Sequence, residues 1–360
     1  MEIGIIGLPG SGKTTLFNSL TRGKAETRAF AGGAVEPNVG VVKVPDGRLE
    51  GLQLLLKPKR LVPAEVKYVD VAVSSDRRDG LSGPARSHLT KTDALIVVAR
   101  AFMDEAVPLS GGVDPWRDIG VMSADLVLAD LIIAEHRLQR IGESLKGARS
   151  PERDNLVKEQ AFVERVRASL ESGVPVRDQK LSRDETRMAE SYQFLSNKPL
   201  LIVLNIGEDR LPQAAAVEEE AKKRYPQHNA AAICGKLEME LGQLSDAEAA
   251  DFRSAMGVGE GAMNRVIRLS YELVGMISFF SIASGEVRAW TVRRDTPAPK
   301  AAGKIHSDME RGFIRAEVVA YEDLLKCGSL AEAKKHGLLR LEGRNYLVQD
   351  GDVITFLFSV

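Results

Sequence analysis

Five short runs rich in Val, Ile and Leu punctuate the first two-thirds of the chain, at residues 3–7, 66–70, 94–100, 200–205 and 230–234. They show little polar alternation, and helix-compatible stretches separate them. Strands buried on both faces look like this, so the pattern predicts a parallel sheet covered by helices, an α/β fold. The gap between residues 100 and 200 is too long for one crossover. Inside it Leu131, Ala134, Leu138, Ile141 and Leu145 recur at alternating three- and four-residue steps. Gly147-Ala148-Arg149-Ser150-Pro151 reads as a turn, and Leu156, Val163, Val166 and Leu170 resume the spacing. An antiparallel coiled-coil hairpin accounts for this; two amphipathic helices lying on the sheet are the other arrangement the spacing allows. Beyond residue 275 the pattern changes to that of a separate small domain. Residues 287–292 and 313–320 read as strands, Pro297-Ala298-Pro299 as a break, and 321–326 as the start of a helix. Residues 346–348 and 353–358 flank the Gln349-Asp350-Gly351-Asp352 turn as a predicted hairpin.

Composition narrows the class. The chain has 360 residues, 44% of them hydrophobic, enough for two or three domains. A net charge of −1 excludes a globally basic nucleic-acid binder, so RNA contact would need a local patch, and sequence-specific DNA binding is not expected. No apolar run approaches the ~18 residues that span a bilayer, and the N-terminus runs straight into a strand and a glycine-rich loop, which predicts a cytoplasmic protein without a membrane partner. Cys234 and Cys327 lack metal-like spacing and read as idle thiols in a reducing compartment.

The candidate chemistry begins at residue 7. Gly7-Leu8-Pro9-Gly10-Ser11-Gly12-Lys13-Thr14 fits the phosphate-binding pattern G-x-x-x-x-G-K-[ST], with a strand before it and an apolar helix pattern through Thr15, Leu16 and Phe17 after it. Glycines let successive backbone N–H groups converge on phosphate oxygens. Lys13 adds a point charge for the outer phosphates, and the Thr14 hydroxyl can ligate Mg²⁺. The helix beginning near Lys13 turns its positive end toward the same anion. Asp70 closes the second strand, where a carboxylate can hold Mg²⁺ through water; a plain turn Asp is the other reading. Asn205-Ile206-Gly207-Glu208 follows another strand and can meet a purine base, and Lys236, in Cys234-Gly235-Lys236-Leu237-Glu238, can close over it. Either segment could also be an ordinary polar loop.

These segments together resemble the YchF/Obg-like ATPase family, within the translation-factor GTPase class. The resemblance runs through residues 5–20, through Val35-Glu36-Pro37-Asn38-Val39-Gly40-Val41-Val42, and through Val113-Asp114-Pro115-Trp116-Arg117-Asp118-Ile119 with Ala129-Asp130-Leu131. It is densest in Glu286-Val287-Arg288-Ala289-Trp290-Thr291, in Glu310-Arg311-Gly312-Phe313-Ile314-Arg315-Ala316-Glu317-Val318 and in Val348-Gln349-Asp350-Gly351-Asp352-Val353-Ile354, which are similar to the family's C-terminal TGS domain. The resemblance implies a P-loop NTPase domain over residues 1–120 and 196–274, a helical coiled-coil insert over 121–195, and a β-grasp-like TGS domain over 275–360. It implies ATP with Mg²⁺ rather than GTP, because Asn205 and Glu208 match an Asn-x-x-Glu pattern in place of Asn-Lys-x-Asp. Backbone groups around Ile206 would then read the adenine amino group. It also implies a histidine that orients the attacking water, here His88 in His-x-x-x-x-Asp-Ala, and a ribosome or ribosomal RNA partner for the TGS domain and helical arm.

Three departures accompany the match. Ala34, after Gly32-Gly33, stands where a metal-ligating Thr is expected. Asp70 is followed by Val71-Ala72-Val73 instead of an Asp-x-x-Gly motif, and the segment on to His88 carries Asp76-Arg77-Arg78-Asp79. Gly10 replaces an Asn. Together these touch the γ-phosphate sensors and leave the cradle's G-x-x-x-x-G-K-[ST] pattern intact, which predicts retained nucleotide binding with slow hydrolysis. A nucleotide-dependent binding module without hydrolysis, a GTP-preferring RNA-binding GTPase and a metabolic phosphotransferase are the competing readings.

Overall fold

The computed structural model describes residues 1–23, 36–72, 81–104, 111–255, 261–283 and 285–359. Its strands are β1 (Glu2–Ile6), β2 (Asn38–Lys43), β3 (Arg60–Val62), β4 (Glu65–Asp70), β5 (Ala94–Ala101), β6 (Leu200–Ile206), β7 (Asn229–Ile233), β8 (Met276–Ala283), β9 (Glu286–Arg293), β10 (Phe313–Ala320), β11 (Arg340–Glu342) and β12 (Asp352–Phe358). The chain forms two compact units. One holds Met1–Gly40 and Lys67–Met263; the other holds Val41–Val66 and Asn264–Val360.

The first unit is built on a six-stranded sheet in the order β2-β4-β1-β5-β6-β7. Pairing is parallel between β1 and β4, β1 and β5, β5 and β6, and β6 and β7. Every residue of β5 and β6 is buried, so the near-continuous apolar runs mark central strands. Because the strands run the same way, β1, β4, β5 and β6 end along one carboxyl edge, and the candidate chemistry collects there.

A 31-residue helix, Pro115–Leu145, opens on Asp114, whose carboxylate accepts from the backbone of Trp116 and Arg117. Its first half buries Ile119, Met122, Leu126 and Ala129 in the sheet's core. Its second half leaves the sheet. It packs on the helix Glu152–Glu171 through Val127, Ala134, Ile141, Phe162, Val163, Val166 and Leu170, a core of its own. The Arg137–Glu159 pair and the bond from Arg153 to the Leu145 carbonyl fix an antiparallel hairpin. The separate core is why the hairpin forms rather than two helices lying on the sheet. At its base the buried Asp130 accepts from the backbone N–H groups of Leu195 (2.6 Å) and Ser196 (2.7 Å), tying the arm to the short 3₁₀ turn Leu195–Asn197 that leads into β6.

The second unit is a mixed sheet in the order β11-β10-β12-β8-β9-β3. β8 and β9 form an antiparallel hairpin, β12 returns parallel to β8, and β10 pairs antiparallel with β12. The helices Ala298–Ile305 and Ser307–Arg311 connect β9 to β10, a β-grasp-like arrangement. Two expectations are corrected here. Residues 346–348 do not form a hairpin with 353–358: Leu347 makes a single antiparallel bridge to Pro297, and β12 takes β8 and β10 as neighbours. The Tyr346 hydroxyl donates to Asp352 (2.7 Å), which closes the turn as a side-chain link instead of a ladder. Pro297-Ala298-Pro299 is also more than a break. Pro297 precedes the helix Ala298–Ile305 and Pro299 sits in its first turn, where a missing N–H goes unused.

Both cysteines are free thiols, and no helix among the described residues is long and apolar enough to cross a membrane.

Candidate functional site

β1 ends at Ile6 and the chain turns through Gly7 to Gly12 into the helix Lys13–Thr21. The turn is closed by Ser11 N–H donating to the Leu8 carbonyl (3.0 Å), with Pro9 and Gly10 at its tip. Gly10 and Gly12 have φ of 77° and 87°, the left-handed region that side chains disfavour. A Cβ on Gly12 would lie 2.1 Å from Asn205 Nδ2, and one on Gly7 would lie 2.5 Å from the Val98 carbonyl oxygen. Only glycine fits at either place. The helix has no acidic residue in its first turn and no side chain capping its N-terminus, so its leading N–H groups and positive dipole end face the concavity. Lys13 and Thr15 are half-buried in that first turn, and no carboxylate among the described residues pairs with the Lys13 ammonium. Together these features form an anion cradle.

The metal candidates meet. Thr14 Oγ1 donates to Asp70 Oδ2 (2.8 Å), and Asn38 Nδ2 donates to the same oxygen (3.2 Å). Asp70 is 4% exposed, and its other oxygen, Oδ1, is buried without a hydrogen-bond partner. A buried carboxylate oxygen left bare is unfavourable unless a cation or water completes it. One hydroxyl and one carboxylate, with phosphate oxygens and waters making up the rest, is a donor set suited to Mg²⁺. Thr14 and Asp70 would hold the ion, and it would neutralise charge on the outer phosphates. Among the described residues no cluster of three or more His, Cys, Asp or Glu could hold a metal ion.

Asn205, 5% exposed at the end of β6, bridges two loops. Its Nδ2 donates to the Ser11 carbonyl (3.1 Å), and its Oδ1 accepts from Gly235 N–H (3.0 Å). The amide thus locks the phosphate loop to the loop after β7. Ile206 is buried, and Glu208 opens a short 3₁₀ turn, Glu208–Gln213. Lys236, in the helix Gly235–Leu241, reaches Glu208 (Nζ to Oε1 3.6 Å) across the crevice beyond β6 and β7. The structure therefore brings together the phosphate loop, Asp70, Asn205, Glu208 and Lys236 along one edge.

It does not bring His88 there. His88 occupies the last turn of the helix Gly83–Thr90. The next residue, Leu89, lies against Gly4, and Asp93 N–H then donates to the Glu2 carbonyl (2.7 Å), at the amino edge of the sheet. Ala34, with Gly32, Gly33 and Val35, lies outside the described residues, as do Val73 and Asp76 through Asp79.

Two residues at the site escaped the sequence reading. Asn38 is one. The other is Phe102, just past β5: a Cβ on Gly12 would lie 3.9 Å from its ring, and one on Gly207 would lie 3.8 Å from its Cβ. The Arg100 guanidinium sits 4.6 Å from the Phe102 ring centre and its Nε donates to the Phe102 carbonyl (3.1 Å). The half-buried ring offers a flat apolar face beside the base crevice. Its only signal in sequence is an aromatic at the carboxyl end of a buried strand.

Comparison with known proteins agrees with this geometry. Residues 2–113 match a family model described as 50S ribosome-binding GTPase. Residues 276–359 match the YchF-GTPase C-terminal model, described as a protein of unknown function (DUF933). The ribosome-binding ATPase YchF of Bacillus subtilis (strain 168) is 40% identical over 368 residues, covering 100% of both chains. That of Haemophilus influenzae is 38% identical over 366 residues, covering 100% of this chain and 99% of the other. The solved YchF GTPase of Schizosaccharomyces pombe superposes with a TM-score of 0.87 at 28% identity, over 99% of this chain and 97% of that one. The similarity spans phosphate loop, helical insert and C-terminal unit without interruption: the chain belongs to the YchF family.

Proposed function

We propose that the chain is a Mg²⁺-dependent ATPase of slow turnover that associates with the ribosome in a nucleotide-dependent way. The observation that carries the reading is the cradle itself: an uncapped helix N-terminus with no acidic residue in its first turn, carrying Lys13, with the bare Oδ1 of Asp70 buried beside Thr14. The relatives, ribosome-binding ATPases, supply ribosome binding and ATP. In the proposed scheme backbone N–H groups of residues 10–14 and the Lys13 ammonium hold the triphosphate, and Thr14 and Asp70 hold Mg²⁺. Asn205 keeps the phosphate and base loops in register, and Ile206, Glu208 and Lys236 face the base. The scheme gives no part to His88.

Slow turnover follows from what the switch segments lack. Ala34 has no ligating oxygen, and no Asp-x-x-Gly glycine follows Asp70. Losing one preorganised charge-stabilising contact slows turnover by about 10²–10³ by analogy with oxyanion donors. The same departures favour a second reading, a binding module in which hydrolysis is lost. We further propose a cytoplasmic location, and a division into NTPase domain (1–120 with 196–274), helical arm (121–195) and TGS domain (275–360), the last two offering the ribosomal RNA contacts.

Calorimetric titration with ATP and Mg²⁺, and phosphate release with and without ribosomes, test the reading. Measurable affinity, abolished by Lys13→Ala, and release well below that of relatives are expected. No heat on titration would overturn nucleotide binding; release at relatives' rates would overturn the slow-turnover part. Co-sedimentation with ribosomes under ATP, ADP and no nucleotide tests the partner, and identical pelleting in all three would remove the nucleotide dependence.

A further inference from the structure

We infer that Lys236 sets the choice of purine, by placing an ammonium beside the Glu208 carboxylate, which could otherwise read guanine. This rests on the reading that the base of a bound nucleotide sits beyond β6 and β7. Glu208 follows β6 and Lys236 follows β7, and Asn205 holds both loops, bonded to Gly235 N–H beside Lys236 and lying three residues before Glu208. The Nζ of Lys236 stands 3.6 Å from Glu208 Oε1, with the side chains 72% and 47% exposed. In open water such a pair contributes little. A base covering it excludes water and strengthens every charge beneath it.

The donor and acceptor count then separates the purines. Guanine presents two adjacent donors, the ring N–H and the 2-amino group, and a free carboxylate offers an oxygen to each. With an ammonium beside that carboxylate, both guanine donors face a positive charge, which also weakens the carboxylate's pull on them. Adenine presents one acceptor, N1, and one donor, the 6-amino group. An ammonium proton serves the first and the carboxylate the second, so both charges favour the bound base. A repulsive charge set against the wrong ligand is a general source of specificity.

The test measures ADP and GDP affinities of the full-length chain by calorimetry. The variants are Lys236→Met, which keeps the length and removes the charge, Glu208→Gln, and the two combined. Both side chains are solvent-open, and unchanged unfolding midpoints confirm that each variant folds. Wild type is expected to favour ADP. Lys236→Met is expected to tighten GDP about tenfold relative to ADP as the facing charge is removed, and adding Glu208→Gln is expected to erase that gain. An ADP-to-GDP ratio unmoved by Lys236→Met overturns the inference, as does a gain that survives Glu208→Gln. A wild type that binds neither nucleotide instead overturns the reading underneath it.

Discussion

Gly12 shows how much one position can carry. Its φ of 87° lies in the left-handed region, and a methyl there would meet the Asn205 amide at 2.1 Å. Gly12→Ala therefore combines backbone strain with the loss of the Asn205–Ser11 bond. It is expected to lower stability by about 1–3 kcal/mol and to abolish nucleotide affinity, as read by urea unfolding and calorimetry. His88 is the opposite case. It sits at the wrong end of its helix for the phosphates, so His88→Ala is expected to leave turnover within about twofold of wild type. A drop on the order of 10²-fold, the size that loss of a general base produces, would restore the role that its resemblance implied. At this scale the phosphate loop was legible, because its glycines, Lys13 and Thr14 carry fixed spacing. Asn38 and Phe102 were not, because each is a lone residue whose partner, Asp70 or Gly12, is remote in sequence.

Among the elements, the long helix Pro115–Leu145 is the most informative. It belongs to two cores, and Asp130 marks the point where it changes partner. Burial raises this carboxyl from 3.8 to about 6, against the opposing effect of the Ser196 and Leu195 hydrogen bonds and the Arg177 charge. The folded chain thus holds an extra proton between those two values. The stability owed to this group falls as pH rises through that window and is level above it. The free-energy difference between wild type and Asp130→Asn in urea unfolding is expected to shrink from about pH 4.5 to about pH 7 and then stay constant. A difference independent of pH would show that Asp130 does not titrate in that range. β1, β4, β5, β6 and β7 were legible as near-continuous apolar runs, and the hairpin as a three-and-four repeat. β2 was not, since its residues alternate between half-buried and exposed on a sheet edge. β3 is three residues long, too short for any period. Residues 346–348 misled because an aromatic beside a turn looks like a strand end, while Tyr346 spends its hydroxyl on Asp352.

For the whole molecule, the decisive feature is that the second unit borrows residues 41–66 from far upstream. β3 pairs in parallel with β9, Arg60 opposite Glu286, and Lys59 N–H donates to the Gly285 carbonyl (2.7 Å). Arg48 donates to both oxygens of Asp350 (2.9 and 3.2 Å) and lies 5.3 Å over the Phe280 ring. A fragment expressed as residues 264–360 is expected to unfold at lower urea than one carrying 41–66 through a flexible linker; equal midpoints would show the borrowed piece to be dispensable. Cloning primers and proteases act on contiguous polypeptide, and this unit is not contiguous. Any single cut that frees its tail uncovers β9 as a raw edge, primed to stick to other chains, and leaves Asp350 without its guanidinium. Domain-swap chimaeras between relatives must therefore exchange two pieces together, or they will splice a sheet to the wrong hem.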